Sequence, residues 1–173
     1  MQNVFLSPHF TLTEMCESRT AKKYGIDNTP NAEEIGNLTR LCEGTLEPLR
    51  EELGLPVIIN SGYRCKALND IISHHSNRSQ HLIGCAADFY VGWSTPTNGR
   101  GPAVPILSQR ERLIKAFRLI LTSSRIDYDQ LILYSNFIHV SYVSSKANRH
   151  HIMLAQGNGR YTRVNLEAAL KSS

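Results

Sequence analysis

An imidazole and a carboxylate flank a run of small residues in Ser79-Gln80-His81-Leu82-Ile83-Gly84-Cys85-Ala86-Ala87-Asp88. Gly84 lets the chain turn sharply after His81, the two alanines let neighbouring backbones approach, and Asp88 falls on a β-prone end. Brought together, a nitrogen and an oxygen donor suit a borderline cation such as zinc, which accepts both in tetrahedral geometry. A third donor must come from elsewhere, and His139 in Phe137-Ile138-His139-Val140-Ser141 offers one. Three protein ligands leave one coordination position open, the layout of a catalytic rather than a structural zinc. Spacing alone does not single out this trio, because seven histidines are scattered through the chain and most histidines are surface or core residues.

Such ligands need rigid elements beneath them. Residues 57–60 read as a short buried strand running into Ser61-Gly62-Tyr63-Arg64, followed by a helix over 67–72 with Leu68, Ile71 and Ile72 inward. A strand over 86–91 carries Asp88. Residues 130–134 and 137–143 form a hairpin about Ser135-Asn136, and alternation sets Phe137, His139 and Ser141 on one face, Ile138, Val140 and Tyr142 on the other. Upstream, Thr11 with Glu14 opens a short helix and 20–24 gives a second. Asn31 with Glu34 caps a long core helix bearing Ile35, Leu38, Cys42, Leu46, Leu49 and Leu53, which Pro48 should kink or divide and Gly54 should end. Ser108 with Glu111 caps another helix to about residue 123. The tail supplies a strand over 152–155, a Gly157-Asn158-Gly159 turn and a short helix from Asn165. Residues 73–80, with His74 and His75, read as a polar loop. The Pro- and Gly-rich stretch 93–107 reads as a long loop that could form a substrate rim. Helices preceding and interleaved with a small antiparallel sheet make the fold class α+β, in one domain over residues 1–173.

Hydrophobic residues at 41% and charged residues at 20% are ordinary globular composition. A net charge of +4 without a lysine or arginine block excludes a nucleic-acid arm, and no aromatic-basic platform accompanies it. No apolar run is long enough to span a bilayer, and the N-terminus lacks the charged and apolar regions of a signal peptide. The expectation is a monomer made in the cytoplasm, with no membrane partner. Cys16, Cys42, Cys65 and Cys85 form no CxxC pair, which speaks against a cysteine-ligated zinc and for four reduced thiols.

The ordered set Ser79-x-His81-x-x-Gly84-x-Ala86-x-Asp88, preceded by Ser61-Gly62-Tyr63-Arg64 and followed by Ile138-His139-Val140-Ser141, resembles the zinc D-Ala-D-Ala carboxypeptidases. These share the Hedgehog/DD-peptidase fold with phage L-alanyl-D-glutamate endopeptidases, and the similarity runs from about residue 6 to residue 154. The resemblance implies Zn2+ held by His81, Asp88 and His139, and hydrolysis of peptidoglycan stem peptides or cross-links, as in a phage or prophage lysis enzyme reaching the wall after release or export. A mildly basic surface suits that polyanionic substrate. The resemblance also implies that Arg64 faces the substrate or the developing oxyanion, where a permanent cation with a planar donor fork is wanted. Ser79 would lie near the substrate. The general base departs from the pattern. Relatives carry a carboxylate a few residues before the last histidine, or a histidine two before it, where this chain has Asn136 and Phe137; others carry a glutamate where it has Tyr134. None of the three takes a proton from water readily. Asp129 matches a family position and is the nearest carboxylate, as base or as the group that orients one; His150 and His151 are discounted alternatives. The departure leaves a competing reading, an inactive wall-binding or structural module that keeps zinc as a staple.

Overall fold

The computed structural model describes residues 4–72, 76–93 and 107–172, so His74, His75 and nearly all of the expected substrate rim lie outside the described residues. Strands β1 (Phe5–Ser7) and β2 (Phe10–Thr11) open the chain as a small hairpin that the sequence does not announce, being too short to show alternation. Glu47 Oε2 accepts from Ser7 Oγ at 2.6 Å and from the His9 backbone N–H at 3.1 Å, which pins this hairpin to the helices behind it. Thr11 then accepts from Glu14 N at 3.2 Å to start α1 (Leu12–Cys16), and Ser18 accepts from Ala21 N at 3.2 Å to start α2 (Arg19–Tyr24).

The expected long helix is built in three pieces. Asn31 and Glu34 close a reciprocal capping box on α3 (Ala32–Leu41), which passes through a π-helical turn, Cys42–Leu46, into α4 (Glu47–Leu53). Pro48 thus falls in the first turn of α4, where the Gly44 carbonyl oxygen four residues back accepts from Asp127 N at 3.1 Å in place of the missing Pro48 N–H, and the helix is divided rather than broken. Leu38, Leu41, Cys42, Leu46 and Leu49 keep their common buried face throughout.

The main sheet joins β3 (Val57–Ser61), β4 (Ala86–Val91), β5 (Gln130–Leu133), β6 (Ile138–Ser141), β7 (His151–Ala155) and β8 (Tyr161–Val164) in the order β3-β4-β6-β5-β7-β8. Helix α5 (Lys66–Ile71) follows β3, and α6 (Gln109–Thr122) links β4 to β5. The mixed α+β class is as expected, but the sheet is not wholly antiparallel. After β6 the chain crosses to the free edge of β5, and β7 pairs with β5 in parallel. Strand β8, exposed at its first three residues, lacked the apolar alternation that would have revealed it; α7 (Leu166–Ser172) closes the chain.

Alternation divides the sheet into two faces. Ala87, Phe89 and Val91, with Ile138, Val140, Leu131 and Leu133, join Leu113, Ala116, Phe117 and Ile120 of α6 in one buried core. On the opposite face Asp88, His139, Ile132 and Met153 stand directly across from one another on four successive strands. The apolar face anchors the sheet; the other is left for chemistry. All four cysteines are free, and among the described residues no helix is long and apolar enough to cross a membrane.

The step from the second loop into β4 depends on Gly84, whose φ is +70° and whose missing Cβ would come within 2.5 Å of the Glu34 carbonyl oxygen. Gly84→Ala should therefore cost about 3 kcal/mol in urea unfolding, combining left-handed backbone strain with overpacking. Gly157→Ala, at φ +80° but with open space around it, should cost only about 1 kcal/mol.

Candidate metal centre

Strand register supplies two of the three candidate ligands. Asp88 on β4 and His139 on β6 are directly opposed, which brings His139 Nδ1 to 2.7 Å from Asp88 Oδ1. The third comes from a 3₁₀ turn, Gln80–Ile83, that leads through Gly84 into β4. His81 Nδ1 lies 2.6 Å from the Gly62 carbonyl oxygen. Only a protonated Nδ1 satisfies that acceptor, so Nε2 keeps its lone pair, and it is turned to Asp88 Oδ1 at 3.4 Å. The three donor atoms lie within 4.8 Å of one another.

This donor set fits zinc. It offers two imidazole nitrogens and a carboxylate oxygen, and among the described residues these atoms contact only one another. Burial pushes the His81 imidazole pKa down, which keeps the ring neutral, as a ligand must be. Burial opposes the charge on Asp88, but the two imidazoles outweigh it and hold the carboxyl below the usual carboxylate range. His81 is 1% exposed and His139 9%, so the pair sits at the floor of a cleft of about 1080 Å³ rather than on open surface.

Arg64 lines the same cleft, set there by the segment after β3. Asn28 holds that segment from both sides, donating to the Tyr63 carbonyl oxygen at 3.1 Å and accepting from Cys65 N at 2.7 Å. Arg64 N donates to the His81 carbonyl oxygen at 3.1 Å, so the arginine segment and the ligand turn brace each other. Its Nε is buried without a hydrogen-bond partner, a donor left for something that enters the cleft. Ser79 also lines the cleft, and its hydroxyl makes no capping bond to the turn it precedes.

A family model described as Peptidase M15 matches residues 8–97, more than half of the chain. The chain belongs to the peptidase M15 family. This is the zinc D-Ala-D-Ala carboxypeptidase-type family that the motifs resemble, whose members are zinc-dependent peptidases. No curated protein matches the chain. The matched segment contains Arg64, Ser79, His81 and Asp88; His139 lies beyond it and joins them through the register of β6.

In this M15 chain Asp129 stands apart from the ligands. It is 1% exposed and lines the cleft, but its oxygens are fully engaged. Oδ1 accepts from Arg149 N at 2.9 Å and Arg149 Nε at 2.8 Å, while Oδ2 accepts from Gln80 Nε2 at 2.8 Å, from Ser141 Oγ at 3.5 Å and from Arg149 Nη2. Burial works against the charge, yet the Arg149 side chain and backbone and the Gln80 amide outweigh it and bring the carboxyl down to about 2. A general base wants a free lone pair and a pKa nearer the working pH. Of the two roles expected of Asp129, the geometry fits the orienting one: it ties Gln80, the neighbour of His81, to Arg149 and to Ser141 of β6. His150 and His151 do not line the cleft; His150 Nε2 lies 2.7 Å from Asp127 Oδ1 and its ring meets Tyr128 edge-on.

Two features of the M15 cleft escaped the sequence reading. Tyr134, marked only as a missing carboxylate, stacks on Phe137 with ring centroids 4.0 Å apart, and its hydroxyl lies 3.0 Å from that of Tyr161 on β8. Arg149 carries no motif, because its partner Asp129 is reached only through the parallel return of the chain. The depressed Asp129 carboxyl contributes stability that is complete above its ordinary value of 3.8 and is lost as pH falls through about 2. The stability gap between wild type and Asp129→Asn, followed by denaturant unfolding, should accordingly be constant from pH 7 to about 5 and shrink steadily below pH 4.

Proposed function

We propose that this chain is a zinc metallopeptidase of the Hedgehog/DD-peptidase type that hydrolyses peptide bonds in peptidoglycan stem peptides or their cross-links, as a wall-lysing enzyme of phage or prophage kind. The convergence of His81, Asp88 and His139 within 4.8 Å at the floor of an open cleft carries this reading. A zinc bound there supplies Lewis acidity for the carbonyl and a nucleophile at neutral pH. The rest falls to the chain. Gly62 holds the His81 ring in the ligating tautomer, and Asp88 keeps its charge against burial. The unpartnered Arg64 Nε–H is placed to donate to the substrate carbonyl oxygen as negative charge develops on it. Tyr134, whose hydroxyl pKa is pushed up mainly by burial, is a donor and not a base at neutral pH, suited to a substrate carbonyl or carboxylate.

One observation favours a second reading. With Asp88 among the ligands and Asp129 saturated, neither carboxylate lining the cleft is free to take a proton. A zinc-stapled wall-binding module fits that equally, and turnover decides between them. Elemental analysis should find one zinc per chain in wild type and a large loss in His139→Ala. Mass spectrometry of digested peptidoglycan should show new termini in the stem peptides and so give the bond that is cut. Arg64→Gln should slow that cleavage by about 10²–10³-fold with zinc retained. Full zinc occupancy with no cleavage of any stem peptide would select the staple.

A further inference from the structure

The cleft is cationic beyond what metal chemistry requires. Among the described residues Arg64, Arg78, Arg149 and Arg160 line it, against Asp88 and Asp129 alone among acidic ones. Asp88 belongs to the ligands, and Asp129 is bound to Arg149. Arg78 and Arg160, both exposed at the cleft, have no ion-pair or side-chain hydrogen-bond partner among the described residues, so their guanidinium groups are open to a ligand.

Their placement is directional. The paired register of β5 and β7 runs from Gln130 and His151 at one end to Leu133 and Leu154 at the other. Arg78 stands two residues before Gln80, whose amide is bonded to Asp129 at the first end. Arg160 sits in the turn between β7 and β8 at the other end, its N–H donating to the Gly157 carbonyl oxygen at 3.0 Å and its neighbour Tyr161 meeting Tyr134. Between the ends lie Ile132 and Met153, in the row that contains His139. At about 3.3 Å per residue, β7 (His151–Ala155) itself runs about 13 Å between these two ends, the length of a four-residue extended peptide.

Resting on the peptidase reading of the same site, we propose that the cleft selects an acidic peptide laid along β7, with two of its carboxylates held at the two ends of the strand, one by Arg78 and the other by Arg160. A guanidinium fork matches a carboxylate's two oxygens, and the strand-lined floor suits an extended chain rather than a compact anion.

The test uses the zinc-loaded full chain and two fluorescent stem peptides, one with free side-chain carboxylates and one with the same groups amidated, read by anisotropy and, separately, by mass spectrometry for cleavage. The acidic peptide should bind about five- to twentyfold more tightly. Arg78→Gln and Arg160→Gln should each remove about two- to fivefold of that preference, and the double variant should abolish it. Lys115→Gln, on α6 outside the cleft, should leave it unchanged. Equal binding of the two peptides, binding of neither, or a preference that survives the double variant overturns the proposal. Carboxylate-dependent binding that is lost in the double variant, without cleavage, upholds it and removes the peptidase reading instead.

Discussion

The contact on which the site depends is the cross-strand pair of Asp88 and His139. It exists only because β4 and β6 pair in one register, and side chains alternate with a period of two. A slip of one residue would send Asp88 toward the core and carry Ala87 or Phe89 into the cleft. The register is held by the other face, where Ala87, Phe89, Ile138 and Val140 are fully buried. Hydrophobic burial thereby sets the position of a polar pair that by itself would not favour leaving water.

That division of labour recurs around the cleft. His81 is fixed by a backbone carbonyl, Arg64 by the backbone of the His81 turn, and Asp129 by a guanidinium and an amide. Among the described residues the buried side-chain polar atoms left without a partner are the Arg64 Nε and the Asn69 Oδ1, both of residues that line the cleft, beside the open side of the His81, Asp88 and His139 trio. Groups left unsatisfied in an otherwise closed hydrogen-bond inventory mark where a ligand completes the structure. Asp129 illustrates the converse, since a carboxylate saturated by five donors is architecture.

The parts legible in the sequence were those written in local periodicity or in motifs of fixed spacing. Capping boxes at Asn31 and Ser108, the alternation about His139 and the hairpin at Ser135-Asn136 each appear where their residues place them. The His81, Asp88 and His139 trio was readable because a resemblance ordered it, and its meeting follows from strand pairing. What stayed hidden depended on non-local return of the chain. The parallel entry of β7, the Arg149 partner of Asp129 and the Tyr134–Tyr161 contact join residues about twenty or more positions apart through a crossing that no local pattern encodes. Strand β8 was invisible for a different reason: an exposed edge needs no apolar face.

The parallel pairing of β5 with β7 also orders the assembly of the molecule in time. Antiparallel β4, β6 and β5 are joined by α6 and a tight hairpin, and they already contain Asp88 and His139, the strand-borne members of the candidate metal group. Strand β7 follows β6 in the chain, so during synthesis it can join the edge of β5 only after the β5–β6 hairpin has been made. An emerging chain can therefore bring His81, Asp88 and His139 together before the wall bearing Arg149, Arg160 and Tyr161 has been made. The candidate metal group belongs to the part of the chain made first, and the far wall of the cleft to the part made last.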